Sequence, residues 1–476
     1  MRNKYIDLLK HEIENDIWTG YVTYYPHKKA YKNLGVLDMK NVWKGVKELN
    51  LYVHIPFCDR KCAYCNLFST VFKKTEKERI YEKYVEKVLQ EIDFYGKYID
   101  KNAVVKSLYF GGGTPIVLTI EQLEKIVKKF HEILPNWSND VEECIECSPE
   151  RLDKEYLQGL KKIGFKRVSI GVQSFNQIEL DLVGRNISTE YTENIIRLTK
   201  EVGLNFNIDL IYGLPNQTNE TIIKNLEKAI TFSPDSICIY PLAIREGTAI
   251  SYMDKSKMFT MKEKYDIFDF QRKILEENGY ECQTVVRFIK SHNSTYQQQR
   301  LEYEGIPTLS VGAGARSYTD NLSYCLTYKV NDKLVQSLIK EYLDCDIDKL
   351  CFDGFEYDID EEKRKYIMLN LLDPKLYVKK YFEKFGSLPK NDFELQFEAL
   401  EALELIYYDK NEESFTLTRK GRKYCDIAVD IFVSDKVRKI YDGYKVEWWE
   451  NLNLKKIVLV ENLLFLKELT EVEKQL

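Results

Sequence analysis

Short apolar runs alternate with longer amphipathic segments over the first half of the chain. Runs of five or six residues rich in β-branched and aromatic side chains predict strands at 51–55, 105–110, 143–147, 167–172, 206–211 and 236–240. Segments with helical spacing follow them, for example at 76–95, 120–133, 154–163 and 219–231. This alternation predicts an α/β fold with a parallel sheet and right-handed crossovers, that is, an open or partial (β/α)6 barrel.

Length and composition bound the class of protein. At 476 residues the chain exceeds one typical domain, so two or three domains are expected. The net charge of −5 gives no electrostatic reason to expect a nucleic-acid partner. No apolar run approaches membrane-spanning length, and the first residues lack the pattern of a signal peptide. Eleven cysteines without a disulfide framework indicate a reducing compartment, so we expect a cytoplasmic protein without a membrane span.

Three cysteines stand close together directly after the first predicted strand. Cys58, Cys62 and Cys65 have the spacing C-x3-C-x2-C. Three thiolates at this spacing can bind one face of a cubane iron–sulfur cluster and leave the fourth iron without a protein ligand. A structural zinc site needs a fourth cysteine or histidine at short range, and residues 66–68 supply neither. The loop therefore predicts a 4Fe-4S cluster whose open iron binds a reactive ligand.

The strings around these cysteines, LYVHIPFC and CAYC, resemble the signature of radical S-adenosylmethionine (SAM) enzymes. Within that superfamily they are similar to oxygen-independent coproporphyrinogen III oxidase and its relatives. Those relatives include heme chaperones, anaerobic heme-degrading enzymes and class C radical SAM methyltransferases. The resemblance implies a 4Fe-4S cluster that binds SAM, with one or two SAM molecules per chain. Tyr52 and Tyr64 belong to these strings and are expected to contact the cofactor.

By the same resemblance, groups at the ends of the second and third strands bind the amino group of SAM. Gly111, Gly112, Gly113 and Thr114 match the family's GGGTP element, which accepts hydrogen bonds from that group. A tight turn is the alternative for a glycine triplet. Glu146 ends the third strand, where a buried carboxylate needs a cationic partner, and the SAM ammonium would supply one.

The fourth and fifth strands carry three more residues of the family pattern. Gln173, in the string SIGVQSF, is expected to bond the ribose of SAM, and Arg185 to pair with its carboxylate through a planar, bidentate fork. Asp209, in DLIYGLP, is expected to accept bonds from the ribose hydroxyls. A helix-capping or packing carboxylate is the alternative for Asp209.

Two candidate catalytic residues lie outside the predicted barrel strands. Tyr25 stands in a Tyr-Pro step that resembles the N-terminal arm of the oxidases, which folds over the active site. The alternative is an aromatic anchor that packs on the barrel. His27, Lys28 and Lys29 could meet acidic groups such as carboxylates of a substrate, or form a solvated basic turn. Arg316 stands where the family has a histidine in a glycine-rich stretch that contributes to a second SAM or to the substrate; a surface ion pair is its alternative.

The pattern becomes helical beyond residue 360, with predicted helices at 361–371, 376–385 and 393–405, a hairpin at 406–409 and 414–421, and a closing helix at 422–432. This order resembles the family's winged-helix-like C-terminal domain. The predicted domains are an N-terminal arm (1–49), a radical SAM barrel (50–290), a barrel extension and connector (291–360), the winged-helix-like domain (361–435) and a helical tail (436–476) with an apolar stripe.

The resemblance implies cleavage of SAM to methionine and a 5′-deoxyadenosyl radical, which abstracts hydrogen from a substrate. The oxidases carry a further cysteine two places after the third ligand, and here that place is Leu67, which argues against their double decarboxylation. We expect a coproporphyrinogen III oxidase-like oxidoreductase acting on a tetrapyrrole-like substrate, such as a porphyrin or heme, with an electron donor such as flavodoxin or ferredoxin. The alternatives are a class C methyltransferase that uses two SAM molecules and a heme-binding chaperone. An auxiliary cluster on Cys144 and Cys147 is disfavoured because strand alternation puts them on opposite faces.

Overall fold

The computed structural model of the protein describes residues 3–17, 24–245, 247–290, 296–373 and 375–443. Its strands are β1 (Lys32–Gly35), β2 (Glu48–Ile55), β3 (Val104–Gly112), β4 (Trp137–Cys147), β5 (Arg167–Gln173), β6 (Asn205–Tyr212), β7 (Ser236–Pro241), β8 (Glu281–Cys282), β9 (Arg287–Ile289), β10 (Thr308–Val311), β11 (Arg316–Tyr318), β12 (Leu322–Cys325), β13 (Phe352–Glu356), β14 (Lys375–Tyr377), β15 (Ile406–Asp409) and β16 (Ser414–Leu417). Its α-helices are α1 (Lys4–Glu14), α2 (Met39–Val42), α3 (Lys74–Tyr95), α4 (Ile120–Ile133), α5 (Lys154–Lys162), α6 (Gln177–Leu182), α7 (Thr189–Val202), α8 (Asn219–Thr231), α9 (Met261–Glu277), α10 (Gln297–Tyr303), α11 (Asp332–Asp344), α12 (Ile359–Leu372), α13 (Val378–Phe385), α14 (Pro389–Asp392), α15 (Glu394–Ala402), α16 (Arg419–Lys423), α17 (Cys425–Asp430) and α18 (Asp435–Gly443).

The main sheet has thirteen strands in the described ranges, in the order β1-β13-β12-β11-β10-β2-β3-β4-β5-β6-β7-β9-β8. The six predicted strands β2 to β7 are all present and run parallel in chain order. The predicted parallel α/β unit is therefore confirmed. Its two edge strands, β1 and β8, do not pair with each other in the part of the chain that the structure describes, so the barrel is open.

A seventh parallel strand, β10, extends the unit beside β2 and was not predicted. It has only four residues, Thr308–Val311, which is too short for a periodicity to stand out. Antiparallel strands β11 to β13 and β1 follow it at this edge. As a result, the glycine-rich stretch after β10 and Arg316 on β11 lie close to the end of β2, where the cysteine loop begins.

Amphipathic helices cover the parallel strands, and α4 illustrates why they form where they do. Thr119 and Gln122 make a reciprocal capping box that satisfies two free N–H groups at its start. Its buried residues Leu123, Ile126, Val127 and Phe130 follow the i, i+3, i+4, i+7 spacing of one helix face. Cutting Phe130 to alanine would cost about 3–5 kcal/mol of unfolding free energy, because its ring is fully buried.

The C-terminal region is largely helical around a three-stranded sheet, β14-β16-β15, and has its own hydrophobic core. Two predicted helices are wrong in detail here. The segment predicted as helix 376–385 begins as β14, because Leu376 is fully buried and pairs with Phe415. The predicted closing helix 422–432 is instead α16 and α17, which Tyr424 separates because its backbone is not helical (φ −111°, ψ 36°).

The first described helix, α1, packs on this C-terminal core. Helix α1 lies against α15 and α17. Most of the predicted tail, including its apolar stripe, lies outside the described residues, and α18 covers its start. None of the helices in the described ranges combines the length and the apolar character needed to cross a membrane.

Candidate functional site

The three cysteines lie on a loop at the end of β2 that backbone hydrogen bonds close at its base. The Cys58 amide donates to the Thr70 carbonyl (3.0 Å), and the Thr70 amide donates to the Pro56 carbonyl (2.8 Å). The Lys61 ammonium donates to the carbonyls of Ser69 (2.8 Å) and Val330 (2.7 Å), which ties the loop to the barrel extension. The loop is therefore fixed before any ligand binds, and Cys58, Cys62 and Cys65 are carried near its tip.

The surroundings of the cysteines suit a cluster that carries positive iron. Burial, together with the neighbouring thiols of Cys65 and Cys62, raises the pKa of Cys58 to about 12. Burial also raises the pKa of Cys62, although Arg185 opposes that shift. The Thr114 hydroxyl donates to the Cys58 sulfur (3.6 Å). Crowded, buried thiols lose their protons when iron binds them, since a metal ion reverses the local electrostatics.

The donor set fits a cubane cluster better than a single ion. Among the described residues no three His, Cys, Asp or Glu side chains are placed to hold one metal ion. A 4Fe-4S cluster does not need that arrangement, because each thiolate binds a different iron. The residues present therefore fit the predicted 4Fe-4S cluster, with Cys58, Cys62 and Cys65 as its ligands.

The glycine triplet at the end of β3 lies against the cysteine loop. The Gly113 amide donates to the Ile55 carbonyl (2.8 Å). A Cβ on Gly113 would come within 2.6 Å of the Phe57 carbonyl oxygen and 3.0 Å of the Cys58 sulfur. Gly112 has φ +112° and a Cβ there would meet the His54 ring at 2.7 Å. The missing Cβ atoms allow the end of β3 to lie this close to the cysteine loop and His54, and the contact of the triplet with SAM stays a prediction.

Tyr52 and His54 form a hydrogen-bonded pair behind the triplet, and sequence reasoning missed the histidine. His54 Nε2 bonds the Phe68 carbonyl (2.8 Å), so it carries the proton, and Nδ1 accepts from the Tyr52 hydroxyl (3.1 Å). Burial lowers the pKa of His54 to about 4, which keeps the ring neutral. The Tyr52 ring stacks on Tyr109 with centroids 6.0 Å apart.

Glu146 ends β4 beside the triplet, as predicted. Its carboxylate accepts from the Tyr109 hydroxyl (3.0 Å) and from the Gly112 amide (3.0 Å). Burial raises its pKa to about 7, and nearby Asp209 adds to the shift. Among the described residues no lysine or arginine forms an ion pair with Glu146, so this carboxylate is suited to an added cation.

Arg185 and Gln173 approach each other at the end of β5. A Cβ on Gly171, a residue of β5, would lie 2.9 Å from Gln173 Nε2 and 3.7 Å from Nη1 of Arg185, which lies in the loop after α6. Gln173 has φ +71°, an uncommon conformation for a residue with a side chain. Arg185 Nη2 donates to the Ser148 hydroxyl (3.0 Å) and Nη1 to the Tyr64 hydroxyl (3.4 Å).

The Arg185 guanidinium still has an unused donor. Its Nε is buried and has no hydrogen-bond partner in the structure, and the Glu150 carboxylate lies 3.7 Å from Nη2. A buried N–H without a partner costs free energy, and a ligand carboxylate would remove that cost. This is the observation in the structure that fits a bound amino-acid carboxylate at the predicted position.

Asp209 lies on the neighbouring strand β6, where Asn207 Nδ2 (2.7 Å) and the Ser169 hydroxyl (3.1 Å) donate to it. Burial raises its pKa. A buried residue that sequence reasoning missed connects the ends of β5 and β6. Glu179 Oε2 accepts from Ser174, Gln217 and Asn225 at 2.6, 2.8 and 3.0 Å.

The two predicted catalytic residues lie in different places. Tyr25 is 2% exposed and belongs to the C-terminal core, where its hydroxyl donates to Glu361 (2.5 Å). The neighbouring Tyr24 faces the other candidate instead: the guanidinium carbon of Arg316 lies 4.2 Å from the Tyr24 ring centroid. Arg316 therefore contacts the N-terminal arm, but its partner there is Tyr24 and not Tyr25.

The comparisons with known proteins agree with this arrangement. A model of the radical SAM superfamily matches residues 52–229. Oxygen-independent coproporphyrinogen III oxidase of Helicobacter pylori is 28% identical over 401 residues, which are 79% of this chain and 84% of that protein. Heme chaperone HemW of Lactococcus lactis is 31% identical over 288 residues, which are 58% of this chain and 72% of that protein.

A solved structure, coproporphyrinogen III oxidase (HemN) from Escherichia coli, has the same fold. The match has a TM-score of 0.72 at 23% identity and covers 87% of this chain and 96% of that one. The class of protein is thus the radical SAM superfamily. Within it, this chain belongs to the family that contains coproporphyrinogen III oxidases of the HemN type and heme chaperones of the HemW type.

Proposed function

We propose that this protein is a radical SAM enzyme that binds a 4Fe-4S cluster through Cys58, Cys62 and Cys65 and one SAM molecule beside it. The proposal rests on two groups with unused binding capacity, one hydrogen-bond donor and one carboxylate. Arg185 has a buried Nε without a hydrogen-bond partner, and Glu146 is a partly buried carboxylate that forms no ion pair with a lysine or arginine of the described residues. SAM carries a carboxylate and an ammonium on one carbon, so its methionine part would match both groups.

The chain's own residues would bind and orient SAM and exclude water. Arg185 would hold its carboxylate, Glu146 and the Gly111–Gly113 backbone its ammonium, and Gln173 and Asp209 its ribose. Cys58, Cys62 and Cys65 would hold the cluster, which would supply the one-electron reduction for cleaving SAM to methionine and a 5′-deoxyadenosyl radical able to abstract hydrogen from the substrate. An electron donor such as flavodoxin or ferredoxin would provide that electron.

We infer that the substrate is tetrapyrrole-like and bears carboxylates. This inference is supported by the relationship to coproporphyrinogen III oxidases and by two cationic residues, Lys28 on the N-terminal arm and Arg316 on β11. The rival within the enzyme class is a methyltransferase that uses a second SAM as methyl donor. We retain it as an outcome of the experiment, because the number of bound SAM molecules separates the two reactions.

The test is anaerobic reconstitution of the full chain followed by product analysis with dithionite or a reduced flavodoxin. We expect about four irons per chain, and 5′-deoxyadenosine and methionine from SAM. Formation of S-adenosylhomocysteine as well would assign the methyltransferase reaction. A reconstituted, reduced protein that binds SAM and never cleaves it, with or without coproporphyrinogen III, would contradict the enzyme proposal.

A heme chaperone is the second candidate, and two observations favour it. A relative named heme chaperone HemW is 31% identical, and the position two places after Cys65 is Leu67, 44% exposed, where the oxidases carry a cysteine. A chaperone would bind heme in stoichiometric amount and leave it chemically unchanged. Optical titration with heme, followed by extraction and mass analysis of the tetrapyrrole after incubation with SAM and reductant, distinguishes binding from turnover.

A further inference from the structure

One face of β6 carries polar side chains in the interior of the protein. Asn207 and Asp209 are two positions apart in the strand and point to that face, whereas the apolar Ile208 between them points to the other. Asn207 is 1% exposed. A buried amide destabilises the fold unless its polar atoms are hydrogen-bonded, so the partners of Asn207 indicate what the residue does.

All four hydrogen-bonding positions of the Asn207 side chain are occupied. Its Nδ2 donates to the Ser169 hydroxyl (2.9 Å) and to Asp209 Oδ1 (2.7 Å). Its Oδ1 accepts from the Ser236 hydroxyl (2.7 Å) and from the Cys238 thiol (3.3 Å). An amide side chain has two donor and two acceptor positions, so Asn207 has none left for a ligand. It can act on a ligand only through the residues that it bonds.

The register of the sheet explains why these side chains meet. Asn207 pairs with Ser169 on β5 and with Ser236 on β7. Two positions further along β6, Asp209 pairs with Cys238 on β7. Cross-strand partners lie side by side on one face of a sheet, so three neighbouring strands bring their polar side chains to Asn207.

Two buried arginines bond the other partners of Asn207. Arg287 Nε on β9 donates to the Cys238 sulfur (3.3 Å), and Arg167 Nη2 on β5 donates to the Ser236 hydroxyl (2.5 Å). In the ranges that the structure describes, no Asp or Glu lies within ion-pair distance of Arg287. The network therefore runs from two guanidinium groups, through one amide, to a single carboxylate.

The same network favours the charged form of Asp209. Burial raises the pKa of Asp209, and the effects that oppose burial most are the hydrogen bond from Asn207 and the positive charge of Arg287. The other titratable groups near this carboxylate lie on three further strands: Tyr109 on β3, Glu146 on β4 and Cys238 on β7. A variant without the Asn207 donor should therefore hold a proton on Asp209 more tightly than wild type.

Asp209, in contrast to Asn207, keeps acceptor positions for a ligand. Its Oδ1 accepts from Asn207 (2.7 Å) and its Oδ2 from the Ser169 hydroxyl (3.1 Å). An ionised carboxylate has about four lone-pair positions, so both oxygens can accept further bonds. The two neighbouring hydroxyls of a ribose supply two donors of the matching kind.

We propose that Asn207 is the residue that positions Asp209 for the nucleoside part of SAM. The inference rests on the proposed function and deepens it, because it adds a supporting residue behind the ribose contact. Asn207 fixes the orientation of the Asp209 carboxylate and links it to both arginines. The ribose hydroxyls then meet acceptors whose positions are set before the ligand binds, which lowers the cost of ordering them.

The experiment compares Asn207→Asp with Asn205→Asp in the reconstituted full chain, with iron content measured in both. Asn205 is exposed at the start of the same strand, so its replacement is the same chemical change away from the network. Asn207→Asp keeps the shape of the side chain but puts a second carboxyl where Asp209 had a donor. Two neighbouring carboxyls resist losing both protons, so Asp209 loses its support and part of its charge.

Two fragments of SAM separate a positioning role from a merely structural one. Methionine has only the amino-acid part, and its binding to the cluster is followed by electron paramagnetic resonance. 5′-Deoxyadenosine has only the nucleoside part, and its binding to the chain, with and without the cluster, is followed by equilibrium dialysis. We expect Asn207→Asp to bind SAM and 5′-deoxyadenosine about 10- to 100-fold more weakly and methionine as wild type does. Asn205→Asp should bind all three ligands as wild type does.

A second variant covers the case in which Asn207→Asp does not fold. Ser169→Ala removes the donor to Asp209 Oδ2 and one partner of Asn207 without adding a charge. It should weaken binding of SAM and 5′-deoxyadenosine by about three- to tenfold and leave methionine binding unchanged.

The outcomes that contradict this inference differ from those that contradict the proposed function. Wild-type affinity for SAM in Asn207→Asp, or an equal loss of methionine and nucleoside binding in a folded variant, would overturn the role of Asn207 and leave the proposed function intact. A wild-type chain that holds four irons and binds neither SAM nor methionine would overturn the proposed function itself.

Discussion

Replacement of Arg185 by alanine tests the proposed SAM site most directly. The guanidinium has one buried donor, Nε, without a partner, and its two other nitrogens bond Ser148 and Tyr64. If the SAM carboxylate uses the free donor and the charge, its removal costs about 2–3 kcal/mol, the value of a hydrogen bond to a charged group. We therefore predict that Arg185→Ala weakens SAM binding by about 30- to 150-fold.

Two further variants separate the charge from the geometry. Arg185→Lys keeps a charge, but its single nitrogen cannot contact Ser148, Tyr64 and a carboxylate at the same time. We therefore expect SAM binding to weaken about tenfold. Ser148→Ala removes only the partner of Nη2 at 3.0 Å and leaves the guanidinium in place. We expect Ser148→Ala to weaken SAM binding by about three- to fivefold, because one hydrogen bond that supports the guanidinium is lost.

The assay is titration of SAM into the reduced, reconstituted cluster, followed by electron paramagnetic resonance. Iron content is measured in every variant, because Arg185 also lowers the pKa of Cys62 and its loss must not be confused with loss of cluster. Arg185→Ala with four irons and wild-type SAM affinity would refute the reasoning. The residue would then have only the structural role of joining Tyr64 to Ser148.

Three other predictions address the cluster, the acidic partner of SAM and the arm. Alanine at Cys58, Cys62 or Cys65 should abolish iron binding, whereas Cys147→Ala should retain it, since that thiol bonds the Ile145 carbonyl inside the core; iron analysis decides, and iron loss in the Cys147 variant would contradict the ligand set. SAM affinity should rise as pH increases through about 7, where Glu146 ionises and can attract the ammonium, and Glu146→Gln should remove this pH dependence in the same titration. A SAM affinity that is level from pH 6 to 8 in wild type would count against Glu146. Tyr25→Phe removes the bonds to Glu361 and Ser434 and should weaken docking of the arm by about 1.5–3 kcal/mol, seen as faster amide hydrogen exchange at residues 24–31, with the exposed Tyr408→Phe as control.

The cofactor side of the site could be predicted from sequence because its parts are local. Cys58, Cys62 and Cys65 lie on one loop, and the glycine triplet, Glu146 and Gln173 each end a strand of a regular parallel sheet. Parallel strands in consecutive order bring their carboxyl ends to one edge, so strand prediction alone places these groups together. The structure confirms the fold, and the roles of the residues stay predictions.

The substrate side could not be predicted in the same way, because its contacts join distant segments. Lys28 meets Tyr328 and Tyr25 meets Glu361 across some three hundred residues. The hydrophobic periodicity within one segment cannot predict a contact between two distant segments. Arg316 lies on β11, which has three residues and pairs with the four-residue β10, and β10 joins the sheet through parallel pairing with β2. Glu179 was missed for a related reason: its three donors come from two loops and a later helix.

The two sides of the site require opposite protonation changes, and this constrains the pH at which both ligands bind. Glu146 has a pKa of about 7 and must lose its proton to attract the SAM ammonium, whereas Lys28, whose pKa burial lowers to about 7, must keep its proton to hold a carboxylate of the substrate. Acidic conditions therefore favour binding of the carboxylate at Lys28 and weaken binding of SAM, and alkaline conditions have the opposite effect. If both proposals hold, the complex with both ligands should be most populated near pH 7, with a bell-shaped profile that Glu146→Gln flattens on the acid side and Lys28→Arg on the alkaline side. A profile that neither variant changes would mean that the two pKa shifts belong to the ligand-free protein and disappear before the ligands meet.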